Sequence, residues 1–102
     1  MFNSQRIQKD CFWDLDISSD EIVNIANGDD TQKLNMLFEK ILLNSTSFLN
    51  DLEIFDRQRL ETLLENYQIP RFNGEFAFRR KNMAEVYFFD KPLLIDELKW
   101  VA

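Results

Sequence analysis

The chain has 102 residues, 45% of them apolar, with ten phenylalanines but only two glycines, two prolines, one cysteine and no histidine. That composition excludes intrinsic disorder, a sandwich built on Gly/Pro turns, an intrachain disulfide and any Ser-His or Cys-His nucleophile pair. The net charge of −6 sits in residues 1–55, where ten acids meet four bases; residues 56–102 balance eight against eight.

Such an N-terminal half would repel phosphate backbones and suit a basic protein partner, although ordinary acidic solubility accounts for it equally well. One domain of this size buries roughly 60–70% of its unfolded surface, enough for a modest core. The opening, MFNSQRIQKD, lacks an apolar run of signal-peptide length, and no 18-residue apolar stretch follows. With the single Cys11, this makes a soluble cytoplasmic protein the expectation.

Residues 1–10 read as a flexible polar N-terminus ahead of one helical domain over 11–102. Phe12 and Trp13 follow, then carboxylates alternating with apolar residues through Asp14, Leu15, Asp16 and Ile17. Ser18-Ser19-Asp20-Glu21 has capping-box spacing and predicts a helix over about 19–27, with Ile17 and Ile22 spaced as a hydrophobic staple. Asn27-Gly28 reads as a left-handed stop. Asp29 or Asp30 then caps a helix over about 31–44, whose Leu34, Leu37, Phe38, Ile41 and Leu42 recur at i, i+3, i+4, i+7 and i+8.

Residues 48–55 read as a short helical turn or irregular connector. Asp56 caps a helix over about 57–67, with an apolar stripe of Leu60, Leu63, Leu64 and Tyr67, closed by Gln68-Ile69-Pro70. Another helix starts near Asn73 and runs to 89, although EVYFF also suits a strand. LLIDELKW reads as a last short helix, with a strand as the competitor. The expected fold is a single compact all-α domain of four to five short helices.

Three constellations merit chemical weighing. Asp14, Asp16, Ser18 and Asp20 alternate as in the first half of a calcium loop, but Ser19 and Ile25 stand where the ligand scheme wants glycine and a bidentate glutamate. No metal and no cofactor is expected. Arg79-Arg80-Lys81, with Arg57, Arg59 and nearby aromatics, resembles a nucleic-acid surface. Consecutive helical residues point about 100° apart, so a solvated helix face is the preferred reading. No glycine-rich phosphate loop is present either, so no enzymatic activity is expected. Phe12 and Trp13 remain, as an aromatic lid on the core or as an interface anchor beside acids.

FWDLDISSDEIVNIANGDD, continuing into KLNMLFEKILLNST and RRKNMAEVYFFDKPLLIDELKW, resembles a family of small uncharacterised prokaryotic proteins with a Phe-Trp-Asp-aromatic-Asp stretch. Leu15 departs from the usual aromatic. Members are commonly encoded ahead of a nucleotidyltransferase-like protein of the abortive-infection type. The resemblance implies an antitoxin or accessory protein that neutralises a nucleotidyltransferase-like toxin through an acidic, aromatic surface. The residues implied are Phe12, Trp13, Asp14 and Asp16, with Asp29 and Asp30. Two alternatives stand beside it: a DNA-binding autoregulator using Arg57, Arg59, Arg79, Arg80 and Lys81, or a structural subunit of the transferase. Exposed aromatics would equally serve a homodimer.

Overall fold

Helix α3, Thr31–Asn44, is the element around which the others are arranged. In the computed structural model, which describes residues 2–13 and 16–94, its five stripe residues Leu34, Leu37, Phe38, Ile41 and Leu42 are all buried. Asp30 caps it, accepting from the Lys33 backbone N–H at 3.2 Å. Against α3 pack α1 (Ser4–Cys11), α2 (Ser19–Asn27), the one-turn α4 (Phe48–Asp51) with its following 3₁₀ turn (Leu52–Ile54), and α6 (Gly74–Phe89). Helix α5, Arg57–Asn66, packs on α6 and is capped by Asp56. The described residues thus hold six α-helices and no strand, an all-α globule with one more helix than expected.

The extra helix is α1, where a flexible segment was expected. Asn3 caps it by accepting from the Arg6 backbone N–H. Ile7 and Cys11, four residues apart and so on one face, are buried in the core. A polar-looking segment is docked because two apolar side chains at helical spacing suffice when neighbouring elements supply the rest of the contact. Burial pushes the Cys11 thiol up to about 12, so it behaves as a small core residue.

Helix α2 starts as read: Ser18 and Glu21 form a reciprocal capping box, Ile22 is buried and Ile17 packs against the core. Its end does not. Gly28 is extended, at φ −87°, and not left-handed. A Cβ there would lie 3.1 Å from the Asn24 carbonyl oxygen, so close backbone approach is what glycine permits here. Among the described residues the left-handed positions are instead Asn73 (φ 57°) and Asp90 (φ 53°), at the two ends of α6.

After α6 the chain turns back. The Asp90 and Lys91 backbone N–H groups donate to the carbonyls of Val86 and Glu85. The buried Asn82 then holds the returning segment by both ends of its amide, donating to the Pro92 carbonyl at 3.1 Å and accepting from the Leu94 backbone N–H at 2.6 Å. Residues 93–94 are irregular; the rest of the expected terminal helix, residues 95–100, lies outside the described residues.

Candidate functional site

The aromatic-acidic segment begins where α1 ends. Phe12 is the C-cap residue of α1, with its backbone N–H bonded to the Gln8 carbonyl. Its side chain is 1% exposed and joins the core, with the Lys40 ammonium 5.8 Å from the ring centroid. Trp13, one residue on, is 79% exposed. Adjacent side chains leaving a helix diverge, so only one of the pair can follow the buried face of Ile7 and Cys11. The Gln8 amide donates to the Ile17 carbonyl at 2.7 Å and ties the far side of this loop to α1. Asp16 is exposed. Asp14 lies outside the described residues.

Phe12 therefore drops out of the expected partner-binding set: a ring sealed in the core has no face left to offer. Asp29 and Asp30 are also removed from Trp13, because they stand at the opposite end of α2, about 13 Å along a nine-residue helix. Asp30 is occupied as the α3 cap. Asp29 is exposed and lies 3.5 Å from the Arg59 guanidinium. With Glu21, Asn24, Ile25, Gly28 and Lys33, the two aspartates line a shallow depression of about 280 Å³ at the α2–α3 corner. Of the six residues expected to act together, the five that are described thus fall into two separate patches, Trp13 with Asp16 and Asp29 with Asp30, and one core residue, Phe12.

The basic set resolves differently. Arg59 donates to the carbonyls of Ala26 and Gly28 at 2.8 and 2.7 Å, satisfying the open C-terminus of α2. Arg80 does the same for α3, donating to the Leu42 and Ser45 carbonyls at 3.0 and 2.9 Å. Its guanidinium is flanked by the rings of Phe48 and Phe76 at 4.5 and 4.7 Å. Burial holds the Arg80 guanidinium below its ordinary pKa. Lys81 pairs with Glu85 at 2.8 Å, Arg79 with Glu75 at 3.4 Å, and Arg57 lies over the Phe89 ring at 5.8 Å. The five bases face different neighbours of their own chain and make no common groove. Two of them are helix caps.

Sequence reasoning missed the most heavily bonded polar group. Asp51 is fully buried and accepts from Nε and one terminal nitrogen of the Arg6 guanidinium, from the Ser45 hydroxyl at 2.6 Å and from the Asn3 backbone N–H at 3.1 Å. The hydrogen bond from Arg6 to Asp51 raises the guanidinium pKa. Nearby, Asp10 accepts from the Thr46 backbone N–H at 3.0 Å and from its hydroxyl at 2.8 Å. The backbone bond is the main cause of a lowered Asp10 pKa. Nothing in FLNDLEIF singles out Asp51, since its partners lie up to 48 residues away.

Among the described residues, no group of three or more metal-ligating side chains converges, and no buried side-chain polar atom lacks a partner. No described helix is long and apolar enough to cross a membrane. No family model, curated protein or solved structure matches the chain. Among the described residues, what the surface offers chemically is recognition: the projecting indole of Trp13, the exposed Asp16 three residues on, and exposed apolar side chains on α6.

Proposed function

We propose that this is a non-enzymatic, cytoplasmic partner-binding protein, and that its partner is a basic, nucleotidyltransferase-like toxin that it neutralises or accompanies. The observation that carries this reading is Trp13, an indole 79% exposed one residue from the buried Phe12. Exposing so large an aromatic ring to water is costly, and tryptophan beside acids is a frequent centre of binding energy at interfaces. Asp16 is exposed in the same loop, Asp14 is its sequence neighbour, and the acidic excess of residues 1–55 extends the field to which a basic cleft would be drawn. Asp29 is a secondary contact at the far end of α2.

The family resemblance supplies the partner's class. The test is association of the two purified proteins at moderate salt, with Trp13→Ala as the diagnostic variant. Failure to associate would remove the antitoxin reading by direct binding. Co-expression separates neutralisation from activation: an antitoxin restores growth, whereas an activating subunit worsens it. The DNA-binding alternative loses support because Arg59 and Arg80 cap helices and Lys81 is paired within its own helix.

A further inference from the structure

The chain that returns along α6 is held by polar contacts at its two ends. Asp90, Lys91, Pro92 and Leu94 are exposed and Leu93 is half-buried, so little apolar surface is sealed beneath this segment. At the near end the Asp90 and Lys91 backbone N–H groups donate to the carbonyls of Val86 and Glu85 at 3.1 and 3.3 Å. At the far end the Asn82 carboxamide takes the Pro92 carbonyl and the Leu94 N–H. Asn82 is itself 1% exposed, and both main-chain partners of its amide come from this segment.

Where the segment leaves α6, the backbone is bent against its own preference. Asp90 stands at φ 53° and ψ 36°, a left-handed conformation in which the Cβ of an L-residue crowds the following carbonyl. Aspartate tolerates this better than most residues, and glycine adopts it freely. Pro92 lacks an N–H and disfavours helical geometry at Lys91, so the bend is not relieved by adding a turn to α6. Leaving the left-handed conformation therefore swings the segment off the helix.

We propose that residues 90–94 are a strap that opens and closes as one unit, with Asp90 as its hinge and Asn82 as its catch. Segments with few buried apolar contacts open locally, well below the free energy of global unfolding. Once the strap lifts, water replaces both bonds of the catch, which keeps the open state accessible. Opening uncovers the Asn82 carboxamide, a donor and an acceptor side by side. It lies on the face of α6 that carries Phe78, 37% exposed, one turn earlier. The strap thus decides whether this polar group is sealed or presented to solvent. The proposal uses no residue of the Trp13 surface, so either can fail alone.

The test is native-state hydrogen exchange of the full chain, read at the Lys91 and Leu94 amides at low urea. Both should show similar protection with little dependence on urea, whereas the buried amides of α3 follow global unfolding. The hinge is tested with Asp90→Gly and Asp90→Ala, which remove the same carboxylate and differ in what they allow at this φ. Leu94 should exchange at least about threefold faster in the alanine variant, the left-handed penalty outweighing the freedom glycine gives the open strap. Loss of the catch in Asn82→Ala should speed Lys91 several-fold as well as Leu94, with the helical circular dichroism unchanged. Leu94 exchange that follows global unfolding would overturn the proposal. So would equal exchange in the glycine and alanine variants, or a Lys91 amide unmoved by the loss of the Asn82 carboxamide.

Discussion

Asp51 shows how a single polar residue can hold an N-terminal element in place. A buried carboxylate is tolerable only when its charge is matched and its lone pairs are filled. Arg6, Ser45 and Asn3 do both, and the arrangement ties α1 to α4. Removing one partner leaves the other charge uncompensated. Arg6→Met should therefore destabilise the fold by about 3–5 kcal/mol, read by urea unfolding. A loss below about 1 kcal/mol would mean that Asp51 is satisfied without Arg6.

Asp10 behaves differently because its effect depends on pH. Its folded pKa lies below the unfolded one, so the unfolded chain binds more protons as the solution is acidified. The stability that Asp10 contributes is present above its unfolded pKa, near 4, and is lost as pH falls through the folded value. Asp10→Asn should be less stable than the parent at pH 7, with the gap shrinking progressively below about pH 4. Thermal melts at pH 7, 4 and 2.5 measure this; a gap independent of pH would assign the effect to packing.

At the scale of elements, legibility followed the range of the interaction. The starts of α2, α3 and α5 were readable because Ser18, Asp30 and Asp56 bond to backbone groups three residues on. The stripe of α3 was readable because one face is buried throughout. Helix ends were less so: α2 and α3 are closed by Arg59 and Arg80, 31 to 38 residues distant, and no local pattern announces such a donor. Helix α1 was hidden because two buried apolar residues make a short signal. The candidate site was half legible for the same reason, since composition cannot say which of Phe12 and Trp13 turns inward.

Asn82 gives this scale its own prediction. Its amide bonds both the Pro92 carbonyl and the Leu94 backbone N–H, so one side chain fastens the returning segment to α6. In Asn82→Ala the Leu94 amide should exchange with solvent at least tenfold faster, while amides within α3 keep their protection. Unchanged exchange at Leu94 would show that the segment is held by packing.

For the whole molecule, charge and apolar surface are separated. The acidic excess lies in residues 1–55 together with Trp13, whereas the exposed apolar residues from Ile69 to Leu94 cluster on or beside α6. That separation gives the described surface two unlike regions, an acidic one and a neutral apolar one. Arg59 and Arg80 border these surfaces, at Asp29 and Phe76, and spend their donors on the carbonyls of their own chain.

The most direct measurement is isothermal titration of the full chain against the proposed partner, a nucleotidyltransferase-like toxin, at about 150 mM salt, with the parent and Trp13→Ala compared. The account predicts saturable binding that weakens at least tenfold in the variant, about 1.4 kcal/mol or more. No binding by the parent, or equal binding by both chains, would contradict it.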